Sequence, residues 1–187
     1  MKYNNEHVLE LILDNTKLLL NTKGVKGWSM DQLATASGLA KNTLYKIIGS
    51  KKDAILDVIN RDMNEVQHHL KERLKTEADT IMIEDLIDTF LLTFSKLHGK
   101  YLTEVLLEYP GNGPQIERQI QEMRWLLAEL FELVKERSHL RADIDIELLF
   151  NCLRGISTEL IRLGHTGESF AEKSRIAYGY LLKGICE

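Results

Sequence analysis

Residues 29–47, SMDQLATASGLAKNTLYKI, decide how this chain is read. They hold two apolar-periodic segments of about seven residues each, parted by little more than Ser37-Gly38-Leu39. Helices that short are marginal alone, because nucleation costs more than so few hydrogen bonds return. The first start is nonetheless well marked. Ser29-Met30-Asp31-Gln32 has the form of a capping box, with Trp28 and Leu33 at the two positions of a hydrophobic staple. Gly38 suits a left-handed exit from that helix.

The second segment, residues 40–46, defines a face. With about 100° per residue and Leu44 turned inward, Ala40 and Ile48 lie beside it, while Asn42 and Lys46 point outward. Thr43 and Tyr45 flank them and Lys41 stands in the first turn. Every member of that face donates a hydrogen bond and none is acidic. Two helices joined by a three-residue, glycine-containing turn form a helix-turn-helix, whose second helix enters the DNA major groove. Asn suits bidentate contact with adenine, Lys reaches guanine O6 and N7, and the Thr43 and Tyr45 hydroxyls suit phosphates. The amino end of the next helix, Ser50-Lys51-Lys52, adds backbone amides and two ammonium groups, the chemistry of a phosphate site. The plainer alternative is three helices that only pack.

Charge follows the same division. Residues 1–62 carry nine basic and seven acidic side chains, against 15 and 21 in the remainder. Between residues 20 and 52 there are six lysines and one acid, Asp31. Such an excess suits a polyanion, although a lysine run is also an ordinary solvated face.

Helical periodicity recurs outward from this stretch, with no convincing strand alternation and no repeats. A first helix is expected over residues 6–21, ended by Gly24 and Gly27. A long one over 50–75 is capped by Ser50, with Asp53 in its first turn. Further helices are expected over 81–97, 100–109, 115–137, from Asp143 or Asp145 to 163, and 168–185. Pro110-Gly111-Asn112-Gly113-Pro114 reads as the clearest loop. The fold class is therefore all-α, about nine helices. A helix-turn-helix domain at 1–49 is joined by the connecting helix 50–75 to a regulatory and dimerisation domain at 76–187.

The motif resembles the TetR family of bacterial transcriptional regulators. The residues that carry the resemblance are Gly24-Val25, Ser29-Met30-Asp31-Gln32-Leu33-Ala34, Ala36-Ser37-Gly38-Leu39, Lys41-Asn42-Thr43-Leu44-Tyr45 and Gly49-Ser50-Lys51. By that resemblance Ser29, Lys41, Asn42, Thr43, Tyr45 and Lys51 would touch DNA, with Lys46 and Ser50 beside them on the residue reading. Departures stand at Trp28, where threonine is usual, at Ala40, where a serine often caps the recognition helix, and at Ile48, where an aromatic is usual. Asn42 replaces a small residue and is the candidate base reader.

The resemblance further implies a homodimer formed by the last two helices, reading a near-palindromic operator in double-stranded DNA. Cys152, Ile156, Leu160, Ile176 and Tyr180 are the candidate interface residues, on stripes that also contain Leu148, Leu149 and Leu163. It implies, too, a small-molecule effector site among the middle helices. Candidates are Phe94, His98, Tyr101, Glu104, Tyr109, Met123 and Trp125, with Phe90 and Phe131 nearby. Glu104 and Glu108, one turn apart near two tyrosines, would suit a cationic aromatic ligand; the alternatives are a solvated face, a neutral or anionic ligand, or no ligand at all. Function is expected to be that of a ligand-released dimeric repressor. The alternative is a DNA-bound protein-interaction module without an inducer.

Other classes find little support. His68-His69 and His98 lack ligand spacing to a carboxylate or thiol, so no metal and no cofactor are expected. No phosphate loop, nucleophile elbow or paired carboxylates appear, which argues against an enzyme. Glu10, Asp14 and Lys17 interrupt the apolar N-terminal stretch, excluding a membrane span there. Two distant cysteines, Cys152 and Cys186, fit reduced thiols in a cytoplasmic protein.

Overall fold

The computed structural model describes residues 5–75, 83–97, 100–135, 143–165 and 167–183. Among the described residues there are nine α-helices and no strand. In chain order they are α1 (Asn5–Lys23), α2 (Met30–Ala36), α3 (Lys41–Ile48), α4 (Lys51–Lys75), α5 (Ile83–Leu97), α6 (Lys100–Glu108), α7 (Gly113–Lys135), α8 (Ile146–Arg162) and α9 (Gly167–Lys183).

The helix ends follow local chemistry. Gly24 ends α1 at a φ of 70°, a left-handed position that costs glycine little. α8 starts on Asp145, whose side chain accepts the Leu148 amide, and it ends through Gly164. There the Gly164 amide bonds to Ile161 and the His165 amide to Leu160, closing the last turn.

The expected loop at 110–114 is corrected. Pro110–Asn112 form a short 3-10 turn and α7 begins already at Gly113. Proline in a first turn sacrifices only an amide that lacks an intrahelical partner anyway, so Pro114 starts the helix rather than preventing it. The expected residues 81–82, 136–137 and 184–185 at other helix ends lie outside the described residues.

Two compact units are formed, and they do not follow chain order. One comprises Met1–Glu65 with His98–Glu117, the other Val66–Leu97 with Arg118–Glu187. Helix α6 lies in the unit that holds the N-terminal helices. Ile12, Leu20, Leu33, Leu44 and Ile55 are fully buried in the first unit, and Val105 of α6 joins that core. In the second unit a row of rings fills the interior. Phe90 stacks on Phe94 and Phe150, Phe94 stacks on Phe170, and Phe131 meets Phe150 edge-on at 4.8 Å. Tyr178 is buried among them and shares a short hydrogen bond with Ser157.

Candidate nucleic-acid interface

The start of α2 is built as its sequence prescribes. Ser29 accepts the Gln32 amide, and the Gln32 side chain accepts the Ser29 amide at 3.0 Å. Trp28 and Leu33 are both buried, as a staple requires. At the other end the Leu39 amide donates to the Ala34 carbonyl at 2.9 Å and the Gly38 amide to Thr35 at 3.2 Å, with Gly38 at a φ of 64°. These paired bonds fix the angle at which the chain leaves α2 and enters α3.

α3 opens on Ala40 in extended backbone, with no side-chain cap. Its inner side is Leu44 and Ile48, both buried against the first unit. Lys41, Asn42, Thr43, Tyr45 and Lys46 are all exposed, so the outward face is the one the 3.6-residue period requires. Ser29 and Ser50 are exposed as well.

Several charges near this face already have partners. The Lys41 ammonium lies 2.7 Å from the Asp31 carboxylate, and Lys26 lies 2.7 Å from Glu108. Lys51 donates to the Trp28 carbonyl at 2.5 Å and sits over the Trp28 ring, 4.4 Å from its centroid. Burial pushes the Lys51 ammonium below its usual pKa. Lys51 therefore braces the tryptophan that stands where threonine is usual. At the amino end of α4, Ser50 and Asp53 cap each other. The Ser50 amide donates to Asp53 Oδ2 at 2.8 Å, and the Asp53 amide to Ser50 Oγ at 3.3 Å. The Ser50 hydroxyl holds the Asp53 carboxyl below its ordinary pKa. That helix end thus presents an acid alongside its lysines. Gly49 is needed there: its φ is 71°, and a Cβ would stand 2.7 Å from Asp53 Oδ2.

Of the seven candidate effector residues, six are among the described residues. Tyr101, Glu104 and Tyr109 belong to the first unit and have structural partners there. Tyr101 donates to Asp62 at 2.8 Å, and both Asp62 carboxylate oxygens accept from Lys17 at 2.7 Å. Glu104 accepts the Val25 amide at 2.8 Å, and Lys52 stands 5.8 Å from the Tyr109 ring centroid. Phe94 and Met123 are buried in the second unit, where Phe94 is part of the ring stack. Trp125 is 63% exposed. His98 lies outside the described residues. The carboxylates offered to a cationic ligand, Glu104 and Glu108, are taken by Val25 and Lys26.

On α8 and α9 the candidate interface residues divide by face. Cys152, Ile176 and Tyr180 are exposed, with Leu148 and Leu163 exposed on the same outer side of α8, and Ile156 and Leu160 are half-buried. Leu149, expected with them, turns inward and is buried. Among the described residues no group of three or more His, Cys, Asp or Glu is placed to hold a metal, and no helix is long and apolar enough to cross a membrane.

No protein-family model matches the sequence, and no curated protein does. Solved structures do match. The TetR-family transcriptional regulator PfmR from Thermus thermophilus is similar at a TM-score of 0.66 and 16% identity, over 92% of this chain and 97% of that one. A Clostridium perfringens protein described as a fatty acid metabolism regulator gives 0.64 at 22%, over 95% and 99%. The ketosteroid transcriptional regulator KstR2 of Mycobacterium tuberculosis gives 0.64 at 14%, over 100% and 97%. Helix order, the braced α2–α3 pair and these similarities agree: the chain has the TetR-family fold.

Proposed function

We propose that this chain is a sequence-specific DNA-binding transcriptional regulator, not an enzyme, acting as a homodimer on a near-palindromic operator. The observation that carries the reading is α3 itself. It is a helix held rigidly by Leu44 and Ile48, with five exposed hydrogen-bond donors and no acid on its outward face. Asn42 and Lys46 would read base edges, and Ser29, Lys41, Thr43, Tyr45 and Ser50 would contact the backbone. One such helix spans only a few base pairs. Two of them about one DNA turn apart read a palindrome, and the exposed apolar residues of α8 and α9 are a surface for that pairing.

Repression relieved by a small molecule is the regulatory mode proposed. A second reading, a DNA-bound interaction module without an inducer, is favoured by one observation: Tyr101, Glu104 and Tyr109 spend their polar groups and ring on the first unit. Selection of bound duplexes from a random pool tests the core of both readings. A palindromic consensus supports a dimeric regulator, and recovery of no consensus refutes sequence-specific binding.

A further inference from the structure

Asp31 is the one acid between residues 20 and 52, and it is not idle. It stands in the first turn of α2, and its carboxylate lies 2.7 Å from the ammonium of Lys41, the first residue of α3. The pair thus ties together the two helices of the helix-turn-helix across their outer surface. As a fold device it is weak. The two side chains are 66% and 56% exposed, and an ion pair so solvated contributes little to stability and is screened by salt. Leu33 and Leu44, fully buried, already hold the two helices. Where the pair is felt is at an approaching phosphate. There Lys41 attracts, Asp31 repels, and contact requires one oxyanion to replace another.

We infer that Asp31 is a specificity-determining residue, which keeps the Lys41 ammonium on α2 and so withholds one phosphate contact from DNA bound non-specifically. This rests on the DNA-binding reading proposed above. A non-specific complex is held by phosphate contacts alone. In that loose complex an ammonium already beside a carboxylate gains little by exchange. In a specific complex the amino end of α3 is seated against base edges. Lys41 is then fixed close to one phosphate, and the whole set of contacts drives the exchange. Asp31 thereby subtracts a contact from the weaker mode and leaves it in the stronger.

The test uses the full chain, the duplex recovered by selection, and a scrambled duplex of equal length, each titrated over a range of salt. Asp31→Asn removes the charge and keeps the shape. The plot of log affinity against log salt for scrambled DNA should steepen by about 0.9, the release of one more counterion. The slope for the selected duplex should stay unchanged, so the affinity ratio between the two falls several-fold. Adding Lys41→Ala to Asp31→Asn should return the scrambled slope to its starting value. Asp31→Ser, which keeps a polar group in the first turn of α2, repeats the measurement if the asparagine loosens that helix. An unchanged scrambled slope, or an equal gain on both duplexes, overturns the inference and makes Asp31 merely a repulsive charge. Failure of the unaltered chain to prefer any duplex would instead sink the DNA-binding reading on which it stands.

Discussion

The Glu104 carboxylate of α6 accepts the Val25 amide at 2.8 Å, joining residues 79 positions apart in the chain. Val25 is buried and follows Gly24, whose missing Cβ makes room: a methyl there would stand 2.7 Å from Glu104 Oε2. This turn delivers the chain to Trp28 and Ser29, the staple and cap of α2. Glu104→Ala leaves a buried amide unsatisfied and should destabilise the chain by about 1–3 kcal/mol. Glu104→Gln keeps an acceptor and should cost less. Gly24→Ala, strained by its φ of 70° as well as crowded, should resemble the alanine variant. Denaturant titration ranks the three, and equal stability of Glu104→Ala and the unaltered chain would show the bond to be incidental.

Ala40 offers the opposite case, a position that can be improved. Its backbone is already in the extended region an N-cap adopts, and only the side-chain acceptor is missing. Ala40→Ser should stabilise α3 by about 1 kcal/mol, a rise in melting temperature of roughly 2–4 °C for a chain of this size. If its hydroxyl also meets a phosphate, operator affinity rises while the salt slope does not, because serine carries no charge. A steeper slope would mean that the gain comes from repositioned lysines.

How much of this was legible in the sequence differs from feature to feature. The α2 start was readable because capping chemistry is local: Ser29 with Gln32 and Trp28 with Leu33 lie within a few residues of each other. The exposed face of α3 was readable from its period. The exposure of Trp125 agrees with the same period, since it lies about 200° around α7 from Met123, off the stripe of Met123, Leu126, Leu127, Leu130 and Val134 that is buried. The place of α6 was not readable. Nothing beside Glu104 distinguishes a carboxylate that will accept a distant amide from one that faces water or a ligand. Likewise the lysine count near α3 announced positive charge, but only folding shows that Lys26, Lys41 and Lys51 meet Glu108, Asp31 and Trp28.

Tyr101 links α6 to Asp62 of α4, which is also held by Lys17 of α1. Burial, then the Asp62 charge, pushes its phenol well above the ordinary value of 10.0. The neutral phenol is therefore favoured in the folded chain. Its contribution is fully present below pH 10 and is lost as pH rises further, because the unfolded chain releases this proton first. Tyr101→Phe should cost about 1.5–3 kcal/mol at neutral pH, the worth of a hydrogen bond to a charged group. It should also flatten the fall in stability above pH 10. A fall of the same steepness in the variant would assign that titration to other groups.

Asn42 and Lys46 share the outward side of α3 but should fail differently when truncated. Asn42→Ala should relax preference at one operator position by about 1–3 kcal/mol and leave the salt slope unchanged. Lys46→Ala should relax preference at a guanine position and, because it also removes a charge, flatten that slope by up to about 0.9. Binding to a set of single-base operator variants at several salt concentrations separates the two. Asn42 is no base reader if its loss leaves the preferred sequence intact at every position.

Tyr180 and Ile176 lie a turn apart on the outer side of α9, 73% and 49% exposed, while Ser174 and Tyr178 on the other side are buried. A glutamate at either exposed position meets water in an isolated chain, so helical content should be retained. In the proposed two-fold dimer the same carboxylate is introduced twice, into an interface proposed to include Leu148 and Cys152 of α8 and Leu163 just beyond it, all exposed in the single chain. If the proposed dimer uses this face, Ile176→Glu and Tyr180→Glu should sediment as monomers at concentrations where the unaltered chain sediments as a dimer. A monomer offers one α3 to the operator, so binding should drop to that of a half-site and lose its dependence on half-site spacing. A dimer that survives both substitutions would move the interface to another face.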